Sequence, residues 1–446
     1  MSSGTGAAAA ERIPSPDLTE DAIAEILARV QQPPDVAFLF RCALVCKLWC
    51  RVLADPAFLR RLLPAESGRS SLLGFIAGRL PVGAEQQVPL LPAFVPAPGS
   101  ALGSGGHPLS LASFVRDDAG VLDRAEPLAA HDGFLLLRVS PRPAADGNVL
   151  RLCVCNLLTG RLHVLPPLLN TALFDANGVR GYAVLSAADN PSDGYSTSFQ
   201  VLLIAVHHSD NQLYLHRFSS SAGNWIATPT NFFLHDRSWR APITNDSFCQ
   251  FLSTESFQQR QRHLSDGCRA ATVCCGAVHW LFEYGGNLYI HHVSLKTWQL
   301  GTTRVLIDVM INWRNARLCS SAAFDGRLSF VYVSNDNLVI WTQRGRVPDY
   351  NFGWELDEVI KVNIMERRRS RTHSLATACF GQRSGTVFVI YDSDPDSACL
   401  LDLRSRFPSQ TMTKVTGWNE SLNDVTAVPY EVNWPRFFMS RLGTRM

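Results

Sequence analysis

The chain has 446 residues, 46% of them hydrophobic and 18% charged, which gives room for more than one globular domain. Its 41 basic and 39 acidic residues leave a formal charge of +2, so no global field draws it to nucleic acid or to an anionic membrane surface. Partners must be sought in local features.

The opening "MSSGTGAAAAERIPSPD" is small and polar, without the apolar core of a secretion signal, and residues 1–15 read as a disordered tail. No later run reaches the roughly 18 to 20 apolar residues that a membrane span needs. The longest, such as "FQVLLIAV", have strand length. The expectation is an intracellular protein, cytoplasmic, nuclear or both, that does not engage membranes.

A helix is expected first. Asp17 with Glu20 has capping-box spacing, and Ile23, Ile26, Leu27 and Val30 follow on one helical face. Pro33 and Pro34 in "QQPPD" stop that helix, and Asp35 can cap the next. From Val36 the apolar residues Leu39, Cys42, Val45, Cys46, Trp49, Val52 and Leu53 recur by threes and fours, with a break or bend placed near residues 41–43. Asp55-Pro56 ends the run, and "AFLRRL" adds a last helical turn with Phe58, Leu59 and Leu62.

Three short helices in so few residues fall below the size at which a lone core is comfortably stable, so the segment must lean on something. Its aromatic residues Phe38, Phe40, Trp49 and Phe58 either face a partner or pack on the rest of the chain. Cys42, Cys46 and Cys50, spaced by four, line one side of a helix. With no second Cys or His pair nearby to complete a tetrahedral site, they read as packed, reduced thiols and not as zinc ligands.

The segment "LTEDAIAEILARVQQPPDVAFLFRCALVCKLWCRVLADPAFLRRL" closely resembles the F-box, in particular that of large plant families. The blocks "ALVCKLW" and "ADPAFLRR" carry the likeness, which covers residues 16–63. Thr19 stands where the family often has Pro after the first Leu. The resemblance implies a three-helix module that docks on a Skp-type adaptor and, through it, on a cullin in a ubiquitin ligase. Carried over, Leu18, Ile23, Ile26, Leu27, Leu44, Val45, Cys46, Lys47 and Trp49 would form or support the docking face.

Residues 64–110 read as a linker with strands of a first blade, and residues 84–108 within it, rich in Pro and Gly, as a loop or irregular edge. From residue 111 to 446, paired apolar runs separated by polar turns repeat at about 50 to 75 residues, with Gly at a strand entry and Trp or Tyr in the second run. Such units suit propeller blades of about four antiparallel strands. Five are clear after residue 130, and "SLLGFIA" with "LASFV" can supply a sixth. The expected fold is therefore mainly β, a small helical module followed by a β-propeller of about six blades. "CNLLTGRLHVLPPL" and "CGAVHWL" resemble the segments that follow plant F-boxes, which points the same way.

Motifs for chemistry are absent from the sequence: there is no Gly-x-Ser-x-Gly elbow, P-loop or dinucleotide glycine signature. His207-His208 and His291-His292 sit in strand-like runs where neighbours point to opposite faces, so neither pair chelates one ion. Glu355, Asp357 and Glu358 read as a solvated edge. The basic run "MERRRSRTH", with Arg367, Arg368, Arg369 and Arg371, and the polar loops "SAADNPSDGYSTS" and "TESFQQRQRHLSDG" are the candidates for contacting a protein substrate. The expectation is a non-catalytic substrate receptor without metal or cofactor. The alternatives are a propeller hydrolase or lyase with a helical lid, and a structural interaction protein outside any ligase.

Overall fold

In the computed structural model the described residues are 18–30, 36–62, 71–79, 92–98, 100, 102, 107–139, 149–169, 179–189, 197–206, 213–228, 271–284, 287–305, 316–320, 326–334, 337–343, 354–361, 375–391, 394–404, 413–415 and 425–442. They form two compact units, one holding the front helices together with the chain from Phe437, the other running from Ala65 to Arg436.

The helical unit contains α1 (Glu20–Val30), α2 (Val36–Ala43), α3 (Lys47–Ala54) and α4 (Pro56–Leu62). Thr19 caps α1, its Oγ1 accepting from the Ala22 amide at 3.3 Å. Asp17 and Asp35, the caps expected from sequence, lie outside the described residues. The chain breaks at Leu44–Cys46, three residues beyond the expected bend, where the Leu44 and Val45 amides turn back to the Arg41 and Cys42 carbonyls. There are thus four front helices among the described residues, not three, and Cys42, Cys46 and Cys50 do not share one helix. Asp55 caps α4 with both carboxylate oxygens, on the Ala57 and Phe58 amides.

Ile23, Leu27, Leu39, Leu53 and Leu59 are fully buried and make the core of this unit. Its remaining cover comes from the far end of the chain. A helix α5 (Trp434–Leu442), capped by Asn433 on the Arg436 amide, brings the buried Phe438 to stack on Phe40 with ring centroids 4.1 Å apart. Phe437 meets Phe40 edge-on at 5.8 Å, and the Arg441 guanidinium lies over Phe437. The front module leans on the C-terminal helix, so assigning residues through 446 to the propeller is corrected from Phe437 onward.

The second unit is a six-bladed β-propeller. The first blade begins with β1 (Leu72–Arg79), β2 (Ala93–Pro96) and β3 (Leu109–Ser110). Blade 2 holds β4 (Ala125–His131), β5 (Phe134–Val139), β6 (Val149–Asn156), β7 (Arg161–Val164) and the short β8 (Leu168–Leu169). Blade 3 holds β9 (Val179–Ser186), β10 (Phe199–Val206), β11 (Leu213–Ser219) and β12 (Asn224–Thr228). Blade 4 holds β13 (Thr272–Cys274), β14 (Ala277–Tyr284), β15 (Asn287–Ser294) and β16 (Leu300–Val305). Blade 5 holds β17 (Arg317–Ser320), β18 (Leu328–Ser334), β19 (Asn337–Gln343) and β20 (Trp354–Lys361). Blade 6 holds β21 (Leu375–Gly381), β22 (Thr386–Tyr391), β23 (Asp394–Asp402) and β24 (Thr413–Lys414). Finally β25 (Val425–Glu431) returns to pair antiparallel with β1 and supplies the inner strand of blade 1. Two local expectations change here: β2 lies inside the Pro- and Gly-rich stretch read as a loop, and "LASFV" forms a short 3-10 turn, not a strand.

The apolar runs are nearly continuous because each sheet is covered on both faces. In β10, Val201, Leu203 and Ala205 pack against blade 2, while Leu202 and Ile204 pack against blade 4. In β18, Phe330 and Tyr332 face blade 4 and Val331 faces blade 6. Trp280 of blade 4 is fully buried, donates Nε1–H to the Tyr182 carbonyl at 3.2 Å, and lies so close to Gly181 that a Cβ there would meet its ring at 2.5 Å. Phe75 stacks on Phe388 where blade 6 meets blade 1.

The closing strand is tied to three blades. The buried Tyr430 hydroxyl donates to the Gly133 carbonyl at 2.5 Å and accepts from the Leu157 amide at 3.0 Å, both in blade 2. Glu431 accepts from the Arg383 and Ser384 amides of blade 6, each at 2.8 Å, and its carbonyl accepts from Gly133. The Val432 amide donates to Ser71 at the edge of blade 1. Tyr430→Phe leaves a buried carbonyl and a buried amide unsatisfied at about 1–3 kcal/mol each, so a thermal melt should show a clear fall in Tm; an unchanged melt would contradict this closure. Phe438→Ala removes the lid on Phe40, with an expected loss of roughly 3–5 kcal/mol, read as faster proteolysis within residues 18–62 while the propeller stays protected.

Candidate functional site

Two features of the described residues bear on function, and each lies within one unit. In the helical unit, large apolar side chains remain open to solvent: Leu18 is 50% exposed, Ile26 39%, Leu44 73% and Val45 66%. Leu44 and Val45 occupy the tight turn between α2 and α3, and Cys46 and Lys47 beside them are exposed as well. Trp49 is half-buried on the first turn of α3. Glu20 on α1 and Arg51 on α3 pair at 2.9 Å, which links the first helix to the third. Ile23 and Leu27 are buried, so of the nine residues carried over from the family these two can only support a docking face. The turn conformation explains the exposure of the "LVC" block: outside a helix, its side chains have no neighbouring turn to fold back upon.

In the propeller, the ends of the inner strands β25, β4, β9 and β21 gather polar groups. His131, the last residue of β4, faces Asp189 with Nε2 3.1 Å from Oδ1, and Asp189 also accepts from the Ser186 amide and hydroxyl. Burial alone would depress the His131 pKa, but the Asp189 carboxylate outweighs it and carries the imidazole above its ordinary value. Burial would likewise raise Asp189, but the His131 charge and the hydrogen bonds from His131 and Ser186 hold it well below the usual carboxylate range. Asp132 receives the Asn433 amide at 2.9 Å and lies 3.8 Å from the Arg383 guanidinium. Gln382 reaches past blade 5 to blade 4, its Nε2 donating to the Ala271 carbonyl at 3.0 Å and its Oε1 accepting from Val273. These groups bind one another across blades, and no set of three His, Cys, Asp or Glu residues among the described ones is placed to hold a metal ion.

The first hairpins of blades 2 and 4 share one turn. Asp132-Gly133 in blade 2 and Cys275-Gly276 in blade 4 both have positive φ at the two central residues, 48° with 82° and 51° with 71°. That geometry matches the strand twist and demands Gly in the second position, which is the origin of the glycine read at the strand entries.

His291 and His292 point to opposite faces of β15, as their adjacency requires. His291 Nδ1 lies 2.7 Å from Thr302 Oγ1, whereas the His292 ring sits over Gly301 and 6.1 Å from the buried His279. Glu355, Asp357 and Glu358 lie on the outermost strand of blade 5. His207-His208, the four arginines of the basic run and the "TESFQQRQRHLSDG" loop lie outside the described residues, as does most of "SAADNPSDGYSTS". The sequence reading missed Asp189, which stands in that loop's opening 3-10 turn, and it missed Tyr430, Glu431 and Asn433. Of these only Asn433 carried a local signal, as a cap before Trp434-Pro435.

No protein-family model matches the chain, and no curated protein does. Among solved structures it is similar to TolB from Acinetobacter baumannii, at 13% identity and TM-score 0.41, covering 86% of this chain and 72% of that one. It is similar to the Dos1 propeller at 9% identity and TM-score 0.33, covering 66% and 60% of the two chains. It is also similar to hydrazine synthase from Kuenenia stuttgartiensis at 9% identity and TM-score 0.41, covering 86% of this chain and 49% of that one. The propeller assignment rests on the strand order given above. Among the described residues no helix is long and apolar enough to cross a membrane.

The blade-4 histidines give the protein a pH signature. Burial lowers His279 and His291 to about 4, and burial together with the two neighbouring rings lowers His292 to about 3. Unfolded histidines take up a proton near pH 6.5, so from about 6.5 down to about 4 the unfolded chain binds more protons and stability falls as the pH is lowered. His131, raised, has the opposite sign: its contribution is full below about pH 6.5 and fades as the pH climbs through its folded value. Thermal melts from pH 7 to 4.5 should show a falling Tm, and His279→Leu should flatten that fall; parallel curves for the two proteins would contradict the assignment.

Proposed function

We propose that the chain is the substrate-receptor subunit of a Skp–cullin–F-box type ubiquitin ligase. The helical unit docks on a Skp-type adaptor, and through it a cullin. The propeller binds a protein to be ubiquitinated, and the chain itself carries out no catalysis. The observation that carries the reading is the exposed pair Leu44-Val45, within the "ALVCKLW" block that resembles the F-box, on a turn whose flanking helices already have a filled core. Covering two such aliphatic side chains contributes on the order of 2 kcal/mol each, enough to anchor a small interface. Ile26 and Leu18 on and before α1 extend the apolar surface available to the adaptor. The nearly neutral charge of the chain fits a protein partner better than nucleic acid or membrane.

The double substitution Leu44→Asp with Val45→Asp changes only exposed side chains, so the melt should be unaltered while affinity for a purified Skp-type adaptor drops roughly a hundredfold or more. Adaptor binding retained at full strength by the double variant would overturn the reading.

A further inference from the structure

Two cysteines stand side by side in "TVCCGAV", and the first hairpin of blade 4 places them differently. Cys274 ends β13 opposite Ala277 and is half-buried. Cys275 takes the first turn position at φ 51°, a left-handed geometry that non-glycine residues adopt infrequently, and is exposed. Its Sγ lies 3.7 Å from the Gly326 carbonyl, which also accepts the Ser320 hydroxyl at 3.0 Å, so the sulfur rests on the corresponding hairpin of blade 5. The interaction with the neighbouring Cys274 thiol lowers the Cys275 pKa to about 6, and the Cys275 sulfur together with burial drives Cys274 upward. An exposed cysteine with a second cysteine on the adjacent residue, both at one hairpin turn, is an arrangement that an oxidant can convert to a disulfide. Four other propeller cysteines differ: Cys153, Cys155, Cys319 and Cys379 are buried, and burial pushes each thiol up, Cys153 to about 12, while Cys399 is half-buried on the third strand of blade 6.

We propose that Cys274 and Cys275 form a modification site at which a hydroperoxide joins them in a reversible disulfide. With hydrogen peroxide, the Cys275 thiolate attacks one peroxide oxygen: an S–O bond forms, the O–O bond breaks, and the departing hydroxide leaves as water after taking a proton. The Cys274 sulfur then attacks the resulting sulfenic acid, forming the S–S bond and breaking S–O, and its proton leaves with the hydroxyl as a second water. Two thiols are oxidised by two electrons and one hydroperoxide is reduced. Neighbouring Cα atoms lie about 3.8 Å apart across a trans peptide, closer than the roughly 4.4–6.8 Å of ordinary disulfides. The bond is therefore strained and readily reopened by thiols, which makes it a switch and not a staple. Forming it draws the Cys275 sulfur off the Gly326 carbonyl and loosens one link between blades 4 and 5. The proposal is independent of the receptor reading.

The test treats the full chain with stoichiometric hydrogen peroxide, alkylates it, digests it with trypsin and weighs the peptide spanning residues 270–296, whose only cysteines are these two. The expected result is that this peptide loses the mass of two hydrogens and escapes alkylation, and that dithiothreitol restores both sites. In Cys274→Ser the expected product is a sulfenic acid at Cys275 that dimedone traps, while in Cys275→Ser residue Cys274 stays alkylatable. The proposal is overturned if both cysteines of the unaltered chain remain alkylatable, if Cys275 is carried to sulfinic acid without pairing, or if it pairs with another cysteine such as Cys319.

Discussion

The return of the C-terminal strand to the first blade is the constraint on which the rest of the structure depends. A propeller blade has an apolar face on each side, and a ring of them is stable only if the last covers the first. Here β25 supplies that cover, and the links are polar as well as apolar. The Tyr430 hydroxyl reaches the Asp132-Gly133 hairpin and the Leu157 amide of blade 2, while the Glu431 carboxylate holds two amides of the blade 6 hairpin. Both side chains are buried, so each bond is made where leaving it unmade is costly.

The same strand has a second consequence. Three residues beyond Glu431 the chain enters α5, whose Phe438 stacks on Phe40 among the front helices. Four short helices of this length do not enclose a core by themselves. Their core is completed by a segment from the opposite end of the sequence. Because Phe40 is occupied in this way, the apolar residues left open on the helical unit are those of the α2–α3 turn and of α1, not the aromatic ones. Self-packing and partner binding thus divide the apolar inventory between them.

How much of this was legible varies with the range of the interaction. Blades 2 to 6 could be read because each is a local set of runs and turns, and because the first hairpins of blades 2, 4, 5 and 6 carry glycine at positive φ. Blade 1 could not be read fully, since its inner strand lies at the other end of the chain and its β2 sits among prolines that mask a strand. The front helices followed from spacing, but the break at Leu44–Cys46 did not, because a helical row of apolar residues continues through it in sequence. The exposure of Val45 is therefore a fact of structure that periodicity would have assigned to a core. Ion pairs such as His131 with Asp189 join residues far apart in sequence and leave no local pattern.

The receptor reading rests on the front helices presenting a prepared apolar surface once their own core has been filled from the C-terminus. Hydrogen–deuterium exchange of the full chain, with and without a purified Skp-type adaptor, addresses this most directly. The account predicts slowed exchange confined to residues 18–26 and 44–49, with the blades unaffected. Equal exchange in both samples, or slowing on the blades alone, would contradict it.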